Sequence, residues 1–285
     1  MSIERVFVAG AGLMGHGIAQ VHAAAGKRVV LYEPQLARAQ AGRDRVAENL
    51  ERHVARGKLD AAGRDATLGR IEPSDDPSRV AGVDLAIEAV FEDLGVKTAL
   101  WSELDRLADE ATLFASNTSS ISIDRLAAAT SEARRPRFVG MHFFSPVPVM
   151  PLVELIRGSQ TSDATEEAVR ALAGELGKQV IVSADRPGFL VNRILMPFLA
   201  EAMRTYEEGT GTMEDIDAGA RAGLNHPMGP FELADWIGLD VCLEVLEVLH
   251  AGIGGEHLRP PQILRDLVAA GHLGRKTKRG FYTYD

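Results

Sequence analysis

The sequence has little of several features that would mark particular classes of protein. It contains one cysteine, Cys242, so an internal disulfide is impossible, and we expect a small buried apolar side chain in a reducing compartment. No run reaches the roughly 18 uncharged apolar residues of a membrane-spanning helix, which argues against a membrane partner. The chain also lacks the basic and apolar regions of a signal peptide at its start, so we expect an unprocessed cytoplasmic protein.

Positive charge is scarce as well. Lysine and arginine total 31 against 40 aspartates and glutamates, which gives a formal net charge of −9. The phosphates of DNA and RNA require a basic surface, so this balance argues against a nucleic-acid partner. A local basic pocket for an anionic substrate is compatible with the same total. We expect no bound metal.

Short apolar runs alternate with helical stretches in the first two thirds of the chain. The runs predict strands over residues 5–9, 28–32, 83–90, 112–116, 138–144, 152–156 and 179–183. The charged stretch 36–70, with Gly57 and Gly63 as breaks, predicts a solvent-facing pair of helices. Strands that alternate with helices indicate a Rossmann-like, doubly wound α/β sheet that is mostly parallel.

The pattern changes after Arg186. Residues 189–207, 213–222 and 231–250 show helical periodicity, and no convincing strand lies among them. We therefore predict two domains, an α/β domain over 1–186 that carries the helical pair as an arm and an all-helical domain over 187–285.

A glycine-rich turn follows the first predicted strand. Gly10, Gly12 and Gly15 match G-x-G-x-x-G, with Leu13 and Met14 inside the motif, and a helical stretch begins there. In such a turn the first glycine permits the tight bend, the second admits a pyrophosphate and the third lets the helix pack closely on the strand. The context predicts a dinucleotide site.

Glu33 ends the second predicted strand, 18 residues after Gly15. An acid at this position accepts hydrogen bonds from the adenosine ribose hydroxyls and repels a 2′-phosphate, which favours NAD over NADP. The alternative is an ordinary surface charge at the end of a strand.

Alcohol oxidation by NAD needs a base for the hydroxyl proton, and histidine suits that role at neutral pH. Among eight histidines, His142 alone interrupts an apolar strand near its carboxyl end, where ligands of open α/β sheets bind. Glu154 lies inside the apolar run 152–156 and needs a partner if it is buried, so His142–Glu154 is a candidate dyad. Two alternatives remain: Glu154 faces solvent from an edge strand, or His142 is a hydrogen-bonded core residue.

Two polar groups could hold a substrate oxygen. The run 116–120, which includes Ser119, follows an apolar strand and therefore lies at the same edge of the sheet, although such a run is also typical of a helix cap. Asn192 is an amide at the apolar start of the first helix beyond the domain boundary.

Seven ordered segments together resemble the short-chain L-3-hydroxyacyl-CoA dehydrogenase family over nearly the whole chain. They are GAGLMGHGIAQ from Gly10, IEAVFEDLGVK from Ile87, FASNTSS from Phe114, GMHFFSPVPVMPLVE from Gly140, RPGFLVNRIL from Arg186, NHPMGPFELADWIGLD from Asn225 and GRKTKRGFYTYD from Gly274.

The resemblance implies roles for particular residues. His142 is the catalytic base, Glu154 orients it, Ser119 contacts substrate and nicotinamide, and Asn192 completes the site. It further implies NAD contacts at Glu33, Glu92 and Lys97, and it makes Lys58 and neighbouring arginines of the arm candidates for contact with the CoA phosphates. A homodimer formed through the second domain, which also covers the cleft, is implied in the same way.

The sequence departs from the family pattern at four places. Ser145 replaces a common asparagine near the nicotinamide, which shortens that contact, and Pro151 replaces a common basic residue. The stretch between Ser119 and His142 is about two residues longer than usual, and Lys278 replaces a common glycine. None of these changes removes a catalytic group.

The expected activity is NAD-dependent interconversion of an (S)-3-hydroxyacyl-CoA, of the 3-hydroxybutyryl type, and the 3-ketoacyl-CoA. One alternative is a dehydrogenase of free 3-hydroxy acids such as L-gulonate. Another is a catalytically silent NAD-binding or structural relative, against which the joint presence of His142, Glu154, Ser119 and Asn192 argues.

Overall fold

A computed structural model describes residues 2–285 and divides the chain into two compact units, one ending at Arg186 and one beginning at Pro187. The strands are β1 (Arg5–Ala9), β2 (Arg28–Tyr32), β3 (Ile71–Ser74), β4 (Leu85–Glu88), β5 (Leu113–Ser116), β6 (Phe138–Phe143), β7 (Leu152–Arg157) and β8 (Gln179–Ala184). The α-helices of the first unit are α1 (Leu13–Ala24), α2 (Leu36–Ala55), α3 (Ala61–Leu68), α4 (Leu94–Leu107), α5 (Ile123–Ala127) and α6 (Asp163–Glu175).

The strands of the first unit form one sheet in the order β3-β2-β1-β4-β5-β6-β7-β8. All neighbouring pairs are parallel except β6 and β7, which run antiparallel. The predicted Rossmann-like, mostly parallel architecture is therefore confirmed. Strand β3 was not expected, because the segment Ile71–Ser74 is short and contains Pro73. Proline is tolerated there because β3 lies at the edge of the sheet, where a ladder donor can be absent.

The predicted helical arm forms α2 and α3. Gly57 has a φ of 65° in the loop between them, as expected of a break. Gly63 does not break the helix, contrary to the expectation, because Asp60 caps α3 by accepting a hydrogen bond from the Gly63 amide at 2.7 Å. Gly42 lets α2 lie against the glycine turn, since a Cβ there would stand 2.6 Å from that of Ala11.

An aromatic cluster anchors α4 to the central strands of the first unit. The ring of Trp101 stacks on Phe114 with centroids 4.7 Å apart and meets Phe138 edge-on at 4.9 Å. Such pairs contribute about 0.5–1.5 kcal/mol each beyond their buried area. The strand ends that follow this cluster are thereby held in fixed positions.

The second unit is helical, as predicted, and consists of α7 (Val191–Glu207), α8 (Met213–Gly223), α9 (Pro230–Ile237), α10 (Leu239–Ile253) and α11 (Gln262–Ala269). The single helix expected over 231–250 is two helices, because Gly238 adopts a φ of 107° between α9 and α10. Apolar residues, Cys242 among them, form the core of this unit. None of the helices in residues 2–285 has the length and apolarity needed to cross a membrane.

Candidate functional site

The glycine turn connects β1 to α1 and shows a separate need at each glycine. Gly10 has a φ of 100°, and a Cβ there would stand 2.5 Å from the carbonyl oxygen of Ala89. A Cβ on Gly15 would stand 1.7 Å from the carbonyl oxygen of Gly10. Nothing lies within 4 Å of the corresponding position on Gly12. The turn is therefore closed on the protein side and open at Gly12, where a pyrophosphate can approach the backbone and the start of α1.

Glu33 lies at the rim of the same turn. Its Oε1 accepts a hydrogen bond from the Ala11 amide at 2.8 Å, which fixes the carboxylate beside the glycines. A carboxylate has about four acceptor positions, so capacity remains for ribose hydroxyls. Glu33, Leu13 and Met14 also line a cavity of about 360 Å³ together with the exposed Phe91. These residues fit the adenosine half of a dinucleotide.

The strand pairing brings His142 and Glu154 together. They are directly opposite in the antiparallel register of β6 and β7, and the His142 Nδ1 lies 3.1 Å from the Glu154 Oε2. Strand β7 is covered by β8 on its other side, and the Glu154 side chain has no exposed surface. The geometry excludes the solvent-facing edge position. In a hydrogen bond to a carboxylate the imidazole nitrogen is the donor, so this contact directs the N–H of Nδ1 at Glu154 and leaves Nε2 to face Ser119.

Ser119 completes this corner of the first unit. Its Oγ lies 3.1 Å from the His142 Nε2. The run 116–120 that carries Ser119 follows β5, the neighbour of β6, so the sheet order places the hydroxyl beside the imidazole. Two consecutive hydrogen bonds therefore connect Glu154 to His142 and His142 to Ser119.

Glu92 lies beneath the Ser119 loop and accepts hydrogen bonds from it. Its Oε1 receives the Ser119 amide at 2.8 Å and the Ser120 amide at 3.0 Å, and it also bonds the Thr118 hydroxyl. Burial works to raise the pKa of Glu92, but Lys97 and these hydrogen bonds outweigh burial and lower it. The carboxylate is thus charged and fixed to the loop.

Glu88 has no role predicted from the sequence, and Asn117 was predicted only as part of the polar run 116–120 that could hold a substrate oxygen. Glu88 at the end of β4 pairs with Lys97 at 2.5 Å, and burial raises the pKa of Glu88 against the effect of Lys97. Asn117 joins the ends of β5 and β6, since its Oδ1 accepts the Phe143 amide at 2.8 Å. In the sequence, Glu88 follows three apolar residues, as an ordinary residue at the end of a strand does. Only the position of an acidic residue at the carboxyl end of a strand could have indicated a role for it.

The arm carries basic residues beside two different cavities. Arg52 and Arg56 line one of about 250 Å³, together with Pro146 and Pro148 from the segment that follows β6. Lys58 lines another of about 650 Å³ on the side of α1. His53 lines both cavities. The segment that follows β6 contributes more residues to the cavity of Arg52 and Arg56 than to the cavity of Lys58.

The other predicted residues differ in exposure. Ser145 is exposed just beyond β6. Asn192 is half-buried in the first turn of α7, in the helical unit. Lys97 is only 1% exposed, so its ammonium faces the protein interior. No group of three or more potential metal ligands was found within residues 2–285.

A mostly parallel α/β sheet with a G-x-G-x-x-G turn after its first strand is the architecture of NAD(P)-dependent oxidoreductases. Residues 5–186 match the model of the 3-hydroxyacyl-CoA dehydrogenase NAD-binding domain, and residues 188–284 match that of the C-terminal domain of the same family.

Known relatives match over nearly the whole chain. A 3-hydroxybutyryl-CoA dehydrogenase of Bradyrhizobium diazoefficiens is 48% identical over 99% of this chain and 96% of its own length. The human mitochondrial hydroxyacyl-coenzyme A dehydrogenase is 44% identical over 99% of this chain and 91% of its own. The crystal structure of (S)-3-hydroxybutyryl-CoA dehydrogenase from Ralstonia eutropha is 48% identical, with a TM-score of 0.96 and full coverage of both chains.

The chain belongs to the 3-hydroxyacyl-CoA dehydrogenase family. Its first unit is the NAD-binding domain of that family, so the predicted family, fold, cofactor and enzyme class are confirmed.

Proposed function

We propose that this enzyme oxidises (S)-3-hydroxybutyryl-CoA to acetoacetyl-CoA with NAD, and catalyses the reverse reaction. The observation that carries the proposal is the pair of hydrogen bonds that joins Glu154 to His142 and His142 to Ser119, each 3.1 Å long. The similar bacterial proteins are 3-hydroxybutyryl-CoA dehydrogenases, which supports the choice of substrate.

His142 is the proposed general base. Its Nε2 takes the proton of the C3 hydroxyl, and Glu154 stabilises the imidazolium that forms because the carboxylate already accepts the Nδ1 proton. Bound NAD supplies the acceptor for the hydride that leaves C3. Ser119 donates to the substrate oxygen from its place beside His142. In the reverse direction His142 returns the proton to the carbonyl oxygen.

The pocket residues support the cofactor choice. Gly10, Gly12 and Gly15, with Leu13 and Met14, are proposed to hold the pyrophosphate at the start of α1, and Glu33 the adenosine ribose. The charge of Glu33 opposes a 2′-phosphate, so NAD is expected to bind better than NADP. Glu92 and Lys97 are proposed to contact NAD, as their match to the family motif implies. Ser145 is proposed to lie near the nicotinamide, where relatives have asparagine.

The acyl-CoA substrate needs cations for its phosphates. Arg52 and Arg56 line the cavity that also contains Pro146 and Pro148, within a few residues of His142, and this supports phosphate contact at α2. Lys58 remains a proposed contact from the neighbouring cavity. Asn192 is proposed to bind the substrate with its amide, as its match to the family motif implies.

Steady-state assays test the substrate. Acetoacetyl-CoA, acyl-CoAs of C4 to C16 and free 3-hydroxy acids such as L-gulonate are compared with NAD and with NADP. We expect the C4 thioester with NAD to have the highest kcat/KM. A higher kcat/KM for a free acid would replace the CoA substrate, and no turnover with any of them would favour a silent relative.

We propose that the enzyme is a cytoplasmic homodimer. Exposed apolar side chains on the helical unit, Ile194, Leu224 and Trp236, support an interface there. Sedimentation should give twice the chain mass of 30.7 kDa. Cell fractionation tests the location.

A further inference from the structure

A buried ion pair lies next to the Ser119 loop. Glu88 ends β4 and is fully buried, and Lys97 lies near the start of α4 with 1% of its surface exposed. Removing two charges from water costs several kcal/mol per ion unless every partner is well placed. The contacts of Glu88 and Lys97 therefore have to account for the burial of the two charges.

The ammonium of Lys97 is directed entirely at groups of the first unit. It donates to the Glu88 Oε1 at 2.5 Å, contacts the Glu92 Oε2 at 3.1 Å and donates to the Val90 carbonyl at 3.4 Å. An ammonium has three donors, and these three acceptors use them. Lys97 thus binds both carboxylates that lie under the loop.

Glu88 reaches the loop from the strand side. Its Oε2 accepts the Ser116 hydroxyl at 2.7 Å, and Glu88 and Ser116 are register partners in the parallel pair of β4 and β5. The Ser116 Oγ in turn accepts the Thr118 amide at 3.2 Å, and the Glu88 carbonyl accepts the Asn117 amide at 2.8 Å. The start of the loop is therefore tied to Glu88.

Glu92 reaches the same loop from the other side through the amides of Ser119 and Ser120. Lys97 links the two carboxylates, so one cation fixes both ends of the segment 116–120. The Ser119 Oγ that this segment carries lies 3.1 Å from the His142 Nε2. A series of hydrogen bonds thus connects Glu88 and Lys97 to the segment that carries the Ser119 hydroxyl, which is the proposed catalytic group.

We propose that Glu88 and Lys97 are positioning residues that hold segment 116–120 so that Ser119 meets His142. The inference rests on the proposed function in its choice of Ser119 and His142. A displacement of about 1 Å at reacting groups lowers rates by roughly 10²-fold, so a loosened loop has a measurable cost.

The first test is a double-mutant cycle. Ser116→Ala removes the link between Glu88 and Thr118 and is made in the wild type and in Ser119→Ala. We expect about a tenfold loss of kcat/KM in the wild type and less than about twofold in Ser119→Ala, because the effect passes through the serine. Thr112→Ala is the matched control, since its buried hydroxyl bonds the Val83 carbonyl at 2.9 Å just before the same strand begins. It should lower the melting temperature comparably and leave kcat/KM within about twofold in both backgrounds.

Equal fold losses for Ser116→Ala in the two backgrounds would overturn the proposal, as would a loss for Thr112→Ala as large as that for Ser116→Ala.

The second test uses Glu88→Gln/Lys97→Met, which removes both charges together and avoids leaving one unpaired. We expect faster amide hydrogen exchange in residues 116–120 and a lower kcat. Unchanged exchange in residues 116–120 would overturn the proposal, whatever the Kd for NAD. Exchange does not require turnover, so it decides the inference even if wild-type enzyme fails to oxidise the hydroxyacyl-CoA, which would refute only the proposed function.

Discussion

Buried carboxylates occur in both compact units, but their partners differ. In the first unit, Glu154 accepts from the imidazole of His142, the side chain proposed above as the general base. In the helical unit, Asp217 and Asp235 are each 1% exposed and accept mainly from backbone amides, which never titrate. The same cost of burial is offset by a titratable partner in one place and by fixed donors in the other.

The two aspartates tie the C-terminal segment to its unit. Asp235 accepts the Phe281 and Tyr282 amides at 2.9 Å each and the Tyr284 hydroxyl at 2.8 Å. Asp217 accepts the Phe231 amide and the Tyr282 hydroxyl, and burial raises the pKa of Asp217. Burial and Asp217 also raise the pKa of Tyr282. The contacts of Asp217 and Asp235 therefore stabilise the fold of the helical unit, whereas Glu154 is proposed to act in catalysis through His142.

The largest effect should follow from breaking the titratable side of the comparison. His142→Gln removes the proposed base, and we expect kcat to fall by about 10²- to 10⁴-fold while the Kd for NAD stays nearly unchanged. The exposed His257→Gln is the control and should keep wild-type turnover. Steady-state rates and NAD titration measure both, and wild-type turnover in His142→Gln would remove that residue from the mechanism.

The fixed-donor side should respond in stability instead of rate. Asp235→Ala leaves two amides and a hydroxyl without their acceptor, which should lower the free energy of unfolding by about 3 kcal/mol. Tyr284→Phe removes one hydroxyl and should cost about 1 kcal/mol. Urea unfolding measures both variants. A loss of kcat per folded molecule without a loss of stability would contradict the distinction between the two carboxylate types.

A buried histidine outside both clusters sharpens the comparison. Burial lowers the pKa of His22 from 6.5 to about 4, and its Nδ1 lies 2.7 Å from the Ile18 carbonyl oxygen. The unfolded chain binds this proton first, so stability should fall as the pH drops below 6.5 and level off near 4. The full loss is about 3 kcal/mol. His22→Leu should flatten unfolding free energy against pH in that window, and an unchanged slope would refute the assignment.

The smallest effect concerns a single backbone conformation. Lys278 has a φ of 58°, a left-handed conformation that explains why glycine is common there in the family. Lys278→Gly should stabilise the protein by about 0.5–1 kcal/mol. Asn225→Gly is the matched control at the same φ of 58°, and its gain should be smaller because asparagine tolerates this region. Thermal unfolding decides, and a lower melting temperature for Lys278→Gly would be the contrary result.

Local patterns predicted most of the architecture, because strands such as β1 and β2 are apolar runs bounded by turn residues. They failed where a tertiary neighbour decides. Strand β3 depends on an edge position that only the assembled sheet provides, and the break at Gly238 separates two helices with continuous apolar periodicity.

The same limit applies to the site. The sequence indicated His142 and Glu154 as candidates, but which face Glu154 occupies depends on the register of β6 and β7 and on the cover from β8. The ion pair of Glu88 and Lys97 joins a strand residue to a helix residue nine positions later. In the sequence, a glutamate and a lysine at this spacing look the same whether the pair is buried or on the surface.

The pairing of β6 with β7 also bears on the order of folding. His142 and Glu154 are 12 residues apart in the chain and face each other across one antiparallel pair. Closing so short a loop costs little entropy, and hairpins form in about 1–10 μs, far faster than the parallel crossovers that complete the sheet. His142 and Glu154 can therefore meet in a local hairpin before the cofactor site exists.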